Sequence, residues 1–228
     1  MGWLERNDLL SWIQLITDSD KEARILLYGG SMGASTVMST VGDPRLPRNV
    51  VAGIAESGFA SARDEFVDMA HSMFHLPRLA AAACVDAAGL ICKHRAGYDF
   101  TEASCLRSLR RTVIPMLFIH GGADSLVSPR FLAMNYAACS SLDREKLLVP
   151  GANHMESSGK DPDLYWRTME GFIRRTFKLG SDKALPDRRT SRIHLRRPDA
   201  SGFRSAHNRI VPVPRSFTSS TKALAVNV

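Results

Sequence analysis

Apolar side chains recur along the chain in blocks of two kinds. Leu9, Trp12, Ile13 and Ile16 return at the three- and four-residue spacing of a helix face, and the pattern fades over Thr17 to Asp20, so the chain opens on an amphipathic helix. Four short runs are apolar nearly throughout: RILLY at 24–28, VVAGIA at 50–55, IPMLFI at 114–119 and KLLV at 146–149. Runs this short, with no polar alternation, predict strands covered on both faces, as in a parallel sheet whose crossovers are helices. A helix is expected over Ala34 to Thr40, stopped at Gly42 with Pro44 beyond. The last helix begins near Asp161-Pro162 and carries Leu164, Met169, Phe172, Ile173 and Phe177 on one side. Between the second and third strands, about residues 60–112 are helical in pattern and hold no strand candidate, which reads as a lid over one end of the sheet. No repeat of solenoid period is visible.

With 228 residues, 44% of them hydrophobic and 7% aromatic, the chain can bury one substantial core. The expectation is an α/β domain over residues 1–180, a mostly parallel sheet flanked by helices. The net charge of +7 does not belong to that domain. Up to residue 180 there are 20 basic and 20 acidic side chains, so the whole excess lies in residues 181–228, with 10 against 3. That segment is rich in Arg, Ser and Pro without a sustained period, and it reads as a basic, mostly disordered extension. No aromatic platform or nucleic-acid motif accompanies its arginines, so no specific nucleic-acid partner is expected. Cys84, Cys92, Cys105 and Cys139 show no CxxC spacing, which fits a reducing, cytoplasmic setting. Charges interrupt the apolar residues of MGWLERNDLLSWIQ, so it reads as neither a secretory signal nor a membrane span.

Chemistry concentrates where strands end. ILLYGGSMGAST, residues 25–36, takes an apolar strand into Gly29, Gly30, Ser31, Met32 and Gly33 and then directly into a helix. This strand–GxSxG–helix arrangement is a nucleophile elbow, a tight turn that lifts the serine hydroxyl above the sheet. It also aims the helix N-terminus and the Met32 N–H at charge developing on a substrate carbonyl oxygen. A serine hydroxyl needs a base, and the base an orienting acid. Asp124 follows the strand in IPMLFIHGGAD, and His154 follows the strand in KLLVPGANH. Both lie just past C-terminal strand ends, the edge at which open parallel sheets gather their chemistry.

In these stretches, LLYGGSMGAST, IPMLFIHGGADSLVSP and LLVPGANH, the chain resembles the α/β-hydrolase fold family, within its esterases and S9- or S33-like peptidases. The resemblance covers roughly residues 3–179. It implies Ser31 as nucleophile, Asp124 as acid, His154 as base and the Met32 amide as one oxyanion donor. Family members begin with about four further strands, and the loop after the third supplies a second oxyanion donor. No such strands are found upstream of Trp3, so an N-terminally truncated fold is expected, with a bare apolar edge on its first strand and room for a partner that completes the sheet. Losing one oxyanion donor lowers rates by ~10²- to 10³-fold.

Several residues carry alternatives. Glu56, just past VVAGIA, rivals Asp124 as the acid. His120 reads as a locally bonded residue rather than a reactive one. His71 and His75, four apart with Asp68 nearby, could share a metal, but no further ligand cluster supports it, and neither metal nor organic cofactor is expected. Phe66, Met69, Met73 and Phe74 read as lid core. The expected activity is hydrolysis of a small-molecule ester or amide through an acyl-enzyme, esterase before peptidase because nothing marks a pocket for a charged peptide terminus. The other reading is a non-catalytic hydrolase remnant acting as an interaction module.

Overall fold

The computed structural model describes residues 1–179 and 223–227. Its strands are β1 (Arg24–Gly30), β2 (Val50–Glu56), β3 (Met116–Gly121), β4 (Arg144–Val149) and β5 (Ala223–Asn227). They form one sheet in the order β4-β3-β2-β1-β5, with every neighbouring pair parallel. The first four are the expected runs, but β4, at the sheet edge, alternates, with Leu147 and Val149 buried and Leu148 exposed, while β1, β2 and β3 are apolar and covered on both faces as expected. That pattern has its cause in the burial: Ile25 and Leu27 of β1 are wholly buried on one face, while Leu26 packs into a second cluster on the other.

Helices cover both faces. α1 (Glu5–Ser19) supplies Leu9 and Ile13, and α2 (Met32–Thr40) supplies Val37 and Met38, to the cluster around Ile25, Leu27 and Phe118. α5 (Cys105–Leu109) and α6 (Arg130–Ala138) add Leu109 and Leu132 to the same layer. After the one-turn α7 (Ser157–Lys160), the opposite face is closed by α8 (Pro162–Phe177), whose Tyr165, Met169, Phe172 and Phe177 pack on Leu26, Ile54, Leu117, Ile119 and Val149. The first turn of α8 is built as its sequence predicts: the Asp161 carboxylate accepts from the Leu164 N–H at 3.0 Å, and Pro162 follows the cap. Its last turn is tied to the sheet by Arg24, whose guanidinium donates to the carbonyls of Phe177 (2.8 Å) and Thr176 (3.2 Å).

The insertion between β2 and β3 is helical, as expected, with α3 (Ala62–Phe74) and α4 (Arg78–Ala96) preceding α5. The first two pack on each other through Val67, Ala81 and Val85, with Phe66 against Phe100 at 4.8 Å between ring centroids. α5 instead lies under α2, where Cys105 Sγ meets the Ser35 carbonyl and the Ser39 hydroxyl. Met73 and Phe74 correct their expected place in the lid core. They stand at the exposed end of α3, where His75 turns the chain through φ 54° and ends the face that Val67 began.

The outer edge of β1 is not bare, as expected, but carries β5, in register from Arg24 opposite Ala223 to Tyr28 opposite Asn227. An open edge presents a row of unpaired N–H and C=O groups, and a short extended stretch of the tail satisfies them by main-chain bonds that need no particular side chain. A reading based on side-chain periodicity misses such a strand. The rest of the expected extension, residues 181–222 and 228, lies outside the described residues, as does Gly180.

Phe172 is fully buried in the α8 cluster, and Phe172→Ala is expected to destabilise the fold by about 3–5 kcal/mol in chemical denaturation. Ending the chain at residue 222 is expected to open the β1 edge and raise self-association. Light scattering across a concentration series checks this, and an unchanged mass distribution would show that β5 does not protect the edge.

Candidate active site

Only Ser31 separates the last residue of β1 from the first of α2, and the turn is completed at φ 54° and ψ −118°. A non-glycine residue held there stores about 1–3 kcal/mol of backbone strain, so its surroundings must fix it. They do so from two sides. The Ser31 N–H donates to the Glu56 carbonyl at 2.8 Å, pinning the turn to the end of β2. A Cβ on Gly29 would collide with the backbone of Gly33, so the strand enters the helix this closely only with glycine there. Gly30 leaves room for the Met155 side chain, which a Cβ would displace. The hydroxyl makes no capping bond to α2 and lies 2.9 Å from His154 Nε2.

The other two residues arrive from loops after β3 and β4. Asp124 Oδ2 stands 2.8 Å from His154 Nδ1. Because the carboxylate only accepts, the hydrogen belongs on Nδ1, which leaves the Nε2 lone pair facing the serine hydroxyl. The Asp124 carboxylate has no exposed surface, and its Oδ1 accepts the N–H groups of Leu126 (3.0 Å) and Val127 (2.9 Å). Asn153 staples the two loops together. Its Oδ1 accepts from the Ser125 N–H at 3.0 Å and from the N–H of His154 itself at 2.8 Å. Gly121 permits this approach, since a Cβ there would meet the carbonyls of Ala152 and Asn153. Sequence reasoning passed over Asn153; its position beside the histidine in GANH was the available signal.

Met32 is the first residue of α2, so its N–H has no partner within the helix. Its side chain is 46% exposed, and Leu126 (51%) and Met155 (38%) are likewise open, so each of the three central residues has an exposed apolar neighbour. A concavity of about 490 Å³ lined by Arg110, Met134, Ser140 and Arg144 lies elsewhere. Arg144 begins β4, which sets that hollow at the opposite end of the strands from Ser31.

Glu56, the rival acid, is engaged by two phenols instead. Its Oε2 accepts from the hydroxyls of Tyr28 (2.7 Å) and Tyr165 (2.8 Å), joining β1, β2 and α8 behind the turn. Burial and the Glu56 charge push the Tyr28 phenol up to about 12, and burial raises Tyr165 as well, so both remain donors. His120 is buried beside Asp124. His71 and His75 each turn Nδ1 to a backbone carbonyl, of Leu76 and Ser72, and among the described residues no group of three His, Cys, Asp or Glu is placed to hold a metal ion. All four cysteines are unpaired, and burial raises the Cys105 thiol to about 11. No helix among the described residues is long and apolar enough to cross a membrane.

No family model and no curated protein matches this sequence. Solved structures do match in shape. An esterase of Pyrococcus furiosus aligns with 75% of this chain at a TM-score of 0.55 and 20% identity, over 62% of its own length. An acylaminoacyl peptidase of Pyrococcus horikoshii aligns with 80% of the chain (TM-score 0.56, 17% identity) over 30% of its length. A puromycin-hydrolysing peptidase of Mycobacterium tuberculosis aligns with 77% (TM-score 0.58, 19% identity) over 26% of its length. The chain therefore spans under two thirds of each of these proteins. Its fold is that of the α/β-hydrolases.

One buried acid near the site sets a pH dependence. Burial, reinforced by the Asp68 and Asp124 charges and opposed by Arg130, pushes Glu65 up to about 7. A folded-state value above the unfolded one means that the native state holds the proton more tightly. The resulting stability is complete below about pH 4 and is lost as pH rises through 7. Glu65→Gln is therefore expected to gain on the parent by roughly 2 kcal/mol between pH 4 and pH 8 in urea unfolding, and parallel pH profiles would contradict it.

Proposed function

We propose that this chain, with its α/β-hydrolase fold, is a serine hydrolase in which Ser31 is the nucleophile, His154 the general base and Asp124 the orienting acid. The observation that carries the reading is the continuous line from Asp124 Oδ2 to His154 Nδ1 at 2.8 Å and from His154 Nε2 to Ser31 Oγ at 2.9 Å, ending on a serine held at positive φ. The esterase and peptidases of similar shape all cleave acyl bonds by their names, which supports the same reaction class.

Ser31 Oγ attacks the carbonyl carbon of an ester or amide as its proton passes to His154 Nε2. Negative charge moves to the carbonyl oxygen, where the Met32 N–H and the positive end of α2 stabilise it. The Ser31 N–H already donates to Glu56, so it takes no part in this. Collapse of the tetrahedral intermediate breaks the bond to the leaving group, which receives the proton from the imidazolium. An acyl-enzyme remains. Water, deprotonated by the same imidazole, attacks it; the bond from the acyl carbon to Ser31 Oγ then breaks, Oγ takes the proton back from the imidazolium, and the acid is released. Throughout, Asp124 keeps the Nδ1–H tautomer and balances the imidazolium charge.

Exposed Met32, Leu126 and Met155 border the three residues and favour an uncharged, apolar acyl or aryl group, so an ester is the preferred substrate over a peptide terminus. A fluorophosphonate probe is expected to label the protein at Ser31, with no labelling in Ser31→Ala. Asp124→Asn is expected to slow p-nitrophenyl ester hydrolysis by about 10³- to 10⁴-fold. A folded parent protein that neither labels nor turns over would overturn the enzyme reading in favour of an interaction module.

A further inference from the structure

Behind the acid stands a second histidine that the reaction above does not use. His120 is the penultimate residue of β3, and only 1% of its surface is exposed. Its Nε2 lies 3.0 Å from the Val127 carbonyl oxygen and 3.3 Å from Asp124 Oδ2, the same oxygen that receives His154. Both neighbours of Nε2 are acceptors only, which assigns the hydrogen to that nitrogen.

We propose that His120 is a positioning residue for the acid: its Nε2–H, donated to the Val127 carbonyl, closes the 124–127 loop whose amides hold Asp124 Oδ1, and so keeps the carboxylate in the rotation that meets His154. The proposal rests on the hydrolase reading only for its kinetic consequence.

The need for such a clamp follows from the softness of the torsion that turns a carboxylate about its stem. The amides of Leu126 and Val127 hold one oxygen, Oδ1, and a single anchored oxygen leaves the group able to swing. Among the described residues His154 is the one donor on Oδ2, so the rotation depends on those two amides and on the loop that carries them. His120 grips the carbonyl of Val127, whose N–H is one of the Oδ1 donors, and so holds that loop closed. The carboxylate meets three donors with no solvent contact, and a buried carboxylate missing a donor is costly.

The charge state of His120 suits the task. Burial lowers its pKa, opposed by the Val127 carbonyl and the Asp124 and Glu56 carboxylates and assisted by His154. A neutral imidazole lends a hydrogen bond without cancelling the negative charge that the His154 imidazolium requires. A fully protonated neighbour would compete for that charge.

Three variants separate a clamp from a residue that only fills space. Glutamine places an amide nitrogen close to where the histidine carries Nε2, whereas asparagine reaches only the Nδ1 position and leucine offers volume alone. His120→Leu and His120→Asn are expected to lower kcat for a p-nitrophenyl ester by about 10- to 100-fold with KM little changed, and His120→Gln to restore most of kcat. The low-field proton resonance of the His154 Nδ1–H···Asp124 bond should persist in the parent and in His120→Gln and weaken or move in the other two. That resonance requires no turnover, so it tests the clamp even if the fluorophosphonate experiment refutes the enzyme. Equal kinetics and an unchanged resonance in folded His120→Asn, or equal losses in the glutamine and asparagine variants, would overturn the proposal. Should His120→Leu fail to fold, the glutamine and asparagine pair decides it alone.

Discussion

Parallel pairing is the constraint on which the rest of this structure depends. When neighbouring strands run in the same direction, their C-terminal ends share one edge, and whatever follows them is delivered to a common rim. Here β1 hands over Ser31, β2 the carbonyl that pins it, β3 the loop of Asp124 and β4 the loop of His154. The register brings together residues 93 and 30 positions apart, and the helices between strands serve mainly to return the chain to its starting edge. The two-faced burial of Ile25, Leu26 and Leu27 is what holds that register. A shift by one residue would turn the same side chains to the wrong layers.

On this scaffold the site is fixed by short-range devices that resist relaxation. The strained turn at Ser31 is held by a bond to Glu56 and by the bare α-carbon of Gly29. The loops of Asp124 and His154 are stapled by Asn153 and allowed to touch by Gly121. Each device acts on backbone rather than on side-chain packing, which suits a centre whose working distances tolerate little error.

The fold and the three central residues were legible because both leave a periodic or local trace. Unbroken apolar runs mark strands covered on both faces, and Gly29, Gly30, Ser31 and Gly33 compress a strand, a turn and a helix start into five positions. What was not legible had no such trace. β5 joins the sheet by main-chain bonds, and its alanines announce no strand. Met73 and Phe74 read as core because composition does not reveal where a helix runs out of neighbours. The surroundings of Asp124 were legible in part: His120 reads as locally bonded and does meet the Val127 carbonyl, whereas the bond from Ser125 to Asn153 comes from two loops meeting in space, which spacing along a chain does not encode.

Tyr28 and Tyr165 give the turn a rear wall with its own rule of inheritance. Both phenols donate to a single oxygen of Glu56, whose other oxygen is buried with no hydrogen-bond partner among the described residues. Losing one phenol would leave that carboxylate on a lone donor, and losing the carboxylate would leave two phenols facing each other. The three positions, drawn from β1, β2 and α8, are thus free to change together but not singly. In a set of diverged sequences they would be found kept or replaced as a trio.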